Sequence, residues 1–512
     1  MPQLQDDVWK LLADPAAYDG DAASKVQRID THAAAVFLAG KHAYKVKRAV
    51  KFPFLDFSTL DKRRAALEAE IEANQPFAPE LYLGLVPITR EGSRLALGGG
   101  GDAVEWALKM RRFDETQTLD RLADSGAIDI ALLDRFARNI AAAHTRAPIV
   151  EAAPWIAALG DYIAQNDDDF RKYARLFDAA QARELTRASR AALERVRPLL
   201  EDRGRQGLIR RGHGDLHLGN IARIDGEYVA FDALEFDPLV ASGDVLYDLA
   251  FLLMDLSERR LDAAANTVLN AYFAAARRDS DIEALTMLPL FLSVRAAIRA
   301  KVTAAKLANT GTDKRGEIER SARTYFALAC RLIAPPAPRL VATGGLSGTG
   351  KSVLARGLAP HIPPLPGALL LRSDVERKTM FGVGETERLP AEAYTPGAGA
   401  RVYATLAEKA RRTLAAGHSA IVDAVFARPK ERATIVDLAQ SENLDFTGIF
   451  LTADLETRMA RVGGRVNDAS DAGVEIARRQ EEYDLGTIDW NTVDASGTPQ
   501  ATLAGALAVL KR

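Results

Sequence analysis

One stretch constrains this chain more than any other: Gly345-Leu346-Ser347-Gly348-Thr349-Gly350-Lys351-Ser352. It follows the apolar run Leu340-Val341-Ala342-Thr343, which reads as a buried strand, and it opens a helical pattern that runs to Leu358. Glycines at the first, fourth and sixth places let backbone N–H groups converge on phosphate oxygens. The helix behind them adds the positive end of its dipole. The pattern predicts ATP with Mg²⁺. Gly345, Ser347, Gly348, Thr349 and Gly350 are expected around the phosphates. Lys351 is expected on the β- and γ-phosphates, with a catalytic role, and the Ser352 hydroxyl on Mg²⁺.

Two further acids follow buried strands. Ala368-Leu369-Leu370-Leu371-Arg372-Ser373-Asp374 ends in an acid suited to accept a proton from a hydroxyl attacking the γ-phosphate. Ser419-Ala420-Ile421-Val422-Asp423-Ala424 ends in one suited to hold Mg²⁺ or its waters. Arg458, Arg461 and Arg465 crowd one helix end and the loop after it, where they can close over phosphates. The stretches Arg372 to Lys378, Ile421 to Phe426 and Asp468 to Ala472 make residues 340 to 512 resemble the small P-loop kinases of the gluconate, shikimate and polynucleotide kinase group. The resemblance implies an α/β P-loop NTPase domain with a mostly parallel sheet.

Upstream, Ala334-Pro335-Pro336-Ala337-Pro338-Arg339 cannot continue a helix and reads as an extended connector. The expected domains are therefore 1–335 and 336–512. Lys25 to Lys47 has strand character, with a turn at Gly40-Lys41-His42. Thr59 to Ala73 reads as a helix. A strand pair is expected from Leu81 to Leu97 about Gly92. Beyond Leu119 the pattern is helical, except around Leu208 to Phe236.

That exception contains His213-Gly214-Asp215-Leu216-His217-Leu218-Gly219-Asn220. An Asp and an Asn five apart on a short loop suit phosphoryl transfer. Asp215 orients a hydroxyl and accepts its proton, and Asn220 ligates Mg²⁺. Two short strands follow about Asp225-Gly226-Glu227, and Asp232 ends the second, where kinases place another Mg²⁺ ligand. Asp237 is a further acid nearby. The signature resembles the aminoglycoside phosphotransferase family, over roughly residues 30 to 330, and Asp244 and Asp248-Leu249-Ala250 match its next helix. The resemblance implies an α+β, protein-kinase-like bilobal domain that acts on small molecules. Its ATP-anchoring lysine is Lys45 or Lys47, which share a strand face, paired with Glu70 or Glu68. Lys45 with Glu70 is the favoured pair. Val104 to Met110 fits the strand beside the adenine. The sequence departs from a kinase pattern at Thr31-His32-Ala33-Ala34, where a glycine-rich loop would lie.

The 67 basic and 69 acidic residues leave a formal charge of −2, so no overall field recruits nucleic acid or a membrane surface. The single cysteine, Cys330, reads as structural. Met1 to Asp7 has no basic start followed by an apolar run, and no window is long and apolar enough for a membrane helix, so a cytoplasmic setting is expected. The arrangement as a whole resembles a bacterial two-domain type, an aminoglycoside-phosphotransferase-like domain fused to a P-loop kinase domain. The expectation is a bifunctional ATP-dependent phosphotransferase acting on hydroxyls of small molecules. The alternatives are a nucleotide-binding regulator with one silent domain, or a C-terminal polynucleotide 5′-hydroxyl kinase.

Overall fold

Alternating apolar residues between Gln27 and Lys47 become three antiparallel strands in the computed structural model: β1 Gln27–Asp30, β2 Ala34–Ala39 and β3 His42–Lys47. The structure describes residues 2–18, 25–52, 55–235, 237, 239–309, 311–464 and 469–511. Three more strands, β4 Tyr82–Glu91, β5 Arg94–Leu97 and β6 Asp102–Arg111, complete a six-stranded sheet in the order β1-β2-β3-β6-β4-β5. Every neighbouring pair in it is antiparallel. Gly92 takes the left-handed backbone that the β4–β5 turn requires, with φ 63°.

Side chains alternate along a strand, so Tyr44 and Val46 face one side of the sheet and Lys45 and Lys47 the other. Tyr44 and Val46 join Ala35 and Phe37 in a core closed by Val8 and Leu12 of the helix Pro2–Ala13. On the lysine side, Leu67 of the helix Leu60–Asn74 packs with Leu108 and Tyr82. The Thr59 hydroxyl caps that helix by accepting from the Lys62 amide.

Two short strand pairs follow. β7 Ile209–Arg211 pairs with β10 Ser242–Asp244, and between them lies the hairpin of β8 Ile221–Ile224 and β9 Glu227–Ala230. Asp225 and Gly226 both have positive φ, the geometry of a two-residue hairpin turn. These elements belong to a first compact unit, residues 1–161 and 197–252. The second unit comprises residues 162–196 and 253–512.

The second unit contains the helices Asp262–Ala276, Leu288–Ala305 and Thr312–Ile333, then an extended segment through residue 339. A five-stranded sheet follows: β11 Leu340–Gly345, β12 Leu369–Arg372, β13 Ala420–Asp423, β14 Phe446–Thr452 and β15 Asn491–Asp494. Its order is β12-β13-β11-β14-β15, and every pair is parallel. Val341, Ile421, Ile449 and Leu451 form its core with Leu354, Leu358 and Ala506 of two flanking helices. The α+β class expected upstream and the α/β parallel class expected downstream are both present. β14 and β15 were not foreseen. Trp490 fills the space over Gly344 and Gly448, where a Cβ on Gly448 would lie 2.4 Å from the indole. Among the described residues no helix is long and apolar enough to cross a membrane.

His418, beside β13, is buried, and its Nε2–H donates to the Gly367 carbonyl at 2.9 Å. Burial disfavours the imidazolium and lowers its pKa from 6.5 to about 4. Above pH 6.5 both folded and unfolded chains are neutral here. Below it the unfolded chain takes up a proton that the folded chain refuses. Stability is therefore lost as pH falls from 6.5 to about 4, by up to about 3 kcal/mol. His418→Gln can keep a donor for Gly367 and cannot charge. Urea denaturation at pH 7 and pH 4.5 is expected to reveal an acid loss about 2–3 kcal/mol smaller in that variant.

Candidate functional site

In the second unit β11 delivers the chain into the turn that precedes the helix Lys351–Leu358. Gly345, Gly348 and Gly350 have φ of 135°, 89° and 90°, conformations that other residues adopt only under strain. A Cβ on Gly348 would also lie 2.5 Å from the Arg458 carbonyl. The loop is thus pressed onto the helix Leu455–Gly463.

Arg458 is not at a lid, as expected from its sequence position. It is fully buried beneath the loop, where its guanidinium meets the Ser347 and Ala477 carbonyls and the Glu481 carboxylate. Arg461 reaches the cavity wall, but its guanidinium donates to the Ala495 and Gly497 carbonyls at 2.7 and 2.8 Å. In this structure it braces the segment after β15. Arg465 lies outside the described residues, as does Asp468.

Lys351, Asp374 and Asp423 line one cavity of about 1300 Å³ with the loop. The Ser352 hydroxyl donates to Asp423 Oδ2 at 2.5 Å, and Arg372 stands 3.5 Å from the same oxygen. Lys351 Nζ donates to the Leu346 carbonyl at 3.1 Å, and the Thr349 hydroxyl to the same oxygen at 2.8 Å. Asp374 opens the helix Ser373–Met380, directly after β12. Burial raises its pKa, and the Asp423 carboxylate raises it further, against the pull of Lys351 and Arg372. A carboxyl poised in this way is suited to proton transfer.

The oxygens of Ser352 and Asp423 are hard donors, the kind that suits Mg²⁺ shared with phosphate groups. Among the described residues no three acids or histidines gather into an all-protein metal site.

A contributor that sequence reasoning missed is Gln480. Its Oε1 accepts the Ser347 amide at 2.6 Å and so fixes the front of the loop. Its partner lies 133 residues away, so nothing local marks it. Beside Asp374, Arg377 lies over the Tyr394 ring at 5.2 Å, and the Tyr394 hydroxyl donates to Asp471 at 2.6 Å. Lys378, also bound to Asp471, completes the knot that ties the helix Ser373–Met380 to the segments around 389 and 471.

The first unit brings together a different set. Lys45 Nζ lies 2.7 Å from Glu70 Oε1 and 2.9 Å from Asp232 Oδ1. Lys47 Nζ lies 2.7 Å from Glu70 Oε2 and 2.6 Å from Glu235. Both lysines therefore share Glu70, and Glu235 was missed from sequence. Glu68 faces away and pairs with Arg64 on the surface. Lys45 is the lysine that meets Asp232, whereas Lys47 is 3% exposed and internal. Burial opposes charge at both Lys45 and Glu70. The facing acids nonetheless hold Lys45 well above the ordinary ammonium value, and the two lysines hold Glu70 below the ordinary carboxylate value. Lys45 likewise lowers the pKa of Asp232.

Asn220 Nδ2 donates to the Asp215 backbone carbonyl and to Asp215 Oδ2, both at 3.0 Å. His217 Nδ1 accepts the Gly219 amide, so the ring proton sits on Nε2, 3.4 Å from Asp215 Oδ2. Behind this loop Asp248 accepts the His213 and Gly214 amides, each at 2.8 Å, and meets His144 at 3.0 Å. Asp244 is spent on a buried pair with Arg203, and Asp237 caps the Leu239 amide. Asp232 holds a positive φ of 60°, and its amide donates to the Tyr82 hydroxyl. Cys330 is partly buried, which pushes its thiol up to about 11, in keeping with a structural role.

Glu70→Ala would leave two ammonium groups in a buried place without their shared carboxylate, at a cost of about 3–5 kcal/mol. Glu68→Ala removes one exposed pair and is expected to change stability by no more than about 0.5 kcal/mol. Chemical denaturation of the two variants side by side checks this contrast, and similar losses would contradict it.

Residues 340–483 match the model of a family described as an AAA domain. Uncharacterized protein Rv2004c of Mycobacterium tuberculosis is 29% identical over 491 residues, covering 93% of this chain and 94% of its own. A gluconokinase structure from Sinorhizobium meliloti 1021 is 20% identical over 34% of this chain and 93% of its own, with a TM-score of 0.25. A choline/ethanolamine kinase family structure from Mesorhizobium loti is 16% identical over 66% of this chain and 96% of its own, with a TM-score of 0.40.

Proposed function

We propose that the chain is an ATP-dependent phosphotransferase with two sites, one in residues 1–335 and one in residues 336–512, each acting on a hydroxyl of a small molecule. The observation that carries the reading is the meeting of Lys351, Ser352, Asp423 and Asp374 at one cavity beside the glycine loop. Asp374 takes the proton of the acceptor hydroxyl as its oxygen attacks the γ-phosphorus, and the bond to the leaving diphosphate oxygen breaks. Lys351 and the loop amides follow the charge that builds on the phosphate oxygens. Ser352 and Asp423 would hold Mg²⁺, which would neutralise charge on the phosphates. In the first unit Asp215 has the acid–base role, Asn220 and Asp232 would hold the cation, and Lys45, steadied by Glu70, anchors the phosphates. The cavity wall of the second unit mixes acids and bases, which favours a small acceptor over a polynucleotide.

A second reading makes the chain a nucleotide-binding regulator in which the first unit is catalytically silent. It is favoured by the tight β1–β2 turn, where the Thr31 hydroxyl accepts the Ala34 amide at 2.9 Å and the Thr31 amide donates to the Ala34 carbonyl. No glycine loop is there to cover phosphates.

Labelled-ATP turnover by the full chain, screened over a metabolite library, tests both readings. Asp374→Asn is expected to lower P-loop turnover by about 10²–10⁴-fold, and Lys351→Ala by a comparable factor. Asp215→Asn is expected to remove only what Lys351→Ala leaves, and the second reading predicts that it removes nothing. Asp374 must be ionised to act, so P-loop turnover is expected to fall as pH drops, along a limb above the ordinary aspartate value of about 4. Unchanged turnover in Lys351→Ala would overturn the P-loop assignment.

A further inference from the structure

β12 is an edge strand. It is bonded to β13 on one side and leads directly to Asp374. An edge leaves alternate N–H and C=O groups without ladder partners, and nothing in a parallel sheet fixes the free side. Here that side is filled by two side chains. Asn270 Oδ1 accepts the Leu370 amide at 2.7 Å, and Asn270 Nδ2 faces the Ala368 carbonyl at 3.2 Å. Asn266 Nδ2 donates to the same carbonyl at 3.0 Å. Ala368 C=O and Leu370 N–H are the two outward groups flanking residue 369, the pair that a further strand would engage. Both asparagines lie on the helix Asp262–Ala276, one turn apart.

The grip is tight and specific. Asn266 is 4% exposed. Gly367, with φ 109°, leaves room for it, since a Cβ there would lie 2.7 Å from Asn266 Nδ2 and 2.5 Å from the Ala359 carbonyl. His418 holds the Gly367 carbonyl from the other side. Further along the chain, Lys409 binds both oxygens of Glu376, two residues past Asp374, and stands 3.8 Å from Asp279. Arg412 binds the Glu283 carboxylate and the Asp279 carbonyl. Segment 262–284 thus touches the acid-bearing strand directly and the acid-bearing helix through Lys409.

We propose that Asn266 and Asn270 are positioning residues of the P-loop site: their side-chain amides complete the open edge of the parallel sheet and fix the strand that delivers Asp374. This rests on the phosphotransferase reading for its effect on turnover. The general base must stand within hydrogen-bond reach of the acceptor hydroxyl, and an error of about 1 Å in such a group can cost about a hundredfold in rate. Nucleotide affinity is set instead by the loop 345–352 on β11, which is two strands away.

The test uses the full chain with Asn270→Ala, Asn266→Ala and, as control, Thr267→Ala, a half-buried residue of the same helix whose hydroxyl donates to the Ala263 carbonyl. Three quantities are read: amide exchange of residues 369–380 against 346–358, affinity for the non-hydrolysable analogue AMPPNP with Mg²⁺, and turnover in an Asp215→Asn background. Asn270→Ala is expected to speed exchange at Leu370 by about tenfold, the worth of one hydrogen bond, with the acceleration extending to Asp374. Exchange in 346–358 and AMPPNP affinity are expected to stay within about twofold, and kcat to fall about tenfold or more with KM for ATP unchanged. Asn266→Ala is expected to act in the same direction and less, and it carries the test if Asn270→Ala does not fold. Thr267→Ala is expected to change nothing. Unaltered exchange in 369–380, acceleration spread equally over 346–358, or lost protection at full kcat would each overturn the proposal. If the parent chain turns over no ATP, the phosphotransferase reading fails, and the exchange and affinity arms still decide whether the asparagines hold this strand.

Discussion

The parallel direction of all five strands in the second unit is the constraint on which its site depends. Strands that run the same way end on the same side, so their C-terminal turns share one edge. The register sharpens this: Thr343 of β11 and Arg372 of β12 both lie opposite Asp423 of β13. The phosphate loop, Asp374 and Asp423 therefore leave the sheet at one level, although 78 residues of sequence separate Gly345 from Asp423. No side chain has to reach far. What remains is to hold each turn in place, and Arg458 and Gln480 do so for the loop from elements that follow β14.

The antiparallel first unit has no shared edge to exploit. Its convergence rests on charge taken out of water. A lone buried carboxylate is costly, and so is a lone buried ammonium, whereas an interleaved row of them can be held if each meets an opposite charge at hydrogen-bond distance. Lys45, Glu70, Lys47 and Glu235 form such a row, and Asp232, about half exposed, closes its outer end against Lys45. The row joins strand β3, the helix Leu60–Asn74 and the turn after β9, three pieces with no ladder between them. Asp232 adopts a left-handed backbone within it, and the Tyr82 hydroxyl takes up the amide that this conformation exposes. The bonds of the row outweigh the local strain.

Much of this was legible because some residue types allow few structures. Glycines before Lys351-Ser352, an acid closing an apolar run, and Asp-Gly between short apolar strands each name their own backbone. The alternation Tyr44-Lys45-Val46-Lys47 named the shared face, and both lysines of that face meet Glu70. Other elements were silent for physical reasons. β14 carries Gly448 where a strand should carry bulk, because Trp490 occupies that space. β15 is four residues long and mostly exposed, so its pattern had no apolar face. The arginines of the helix Leu455–Gly463 looked alike in sequence, yet Arg458 is buried and Arg461 reaches the cavity wall, because only the fold decides which turn of that helix faces the phosphate loop.

The same logic explains which supporting residues stayed hidden. A loop that presents a catalytic side chain cannot be closed by a regular ladder, so its backbone N–H and C=O groups must find partners elsewhere. Short polar side chains suit that role, since a carboxamide offers a donor and an acceptor in one rigid plane and a carboxylate accepts two amides at once. Asn74 binds the Glu70 carbonyl and the Ala233 amide beside Asp232. Asp248 takes the two amides ahead of Asp215, and Gln480 takes the amide of Ser347. Asn266 and Asn270 take the groups ahead of Asp374. Asn and Asp are indifferent or poor residues for a helix interior, because their side chains compete with the helix for backbone bonds. Asn74, Asp248, Asn266 and Asn270 all lie on helices, and three of the four are buried. A helix that spends a place on such a residue gives up some stability of its own, and in this chain the return is a fixed loop elsewhere. The two units differ in fold and in electrostatics, yet both fix their acids by the same means: side-chain amides and carboxylates borrowed from helices remote in sequence, bonded to backbone that no ladder can reach.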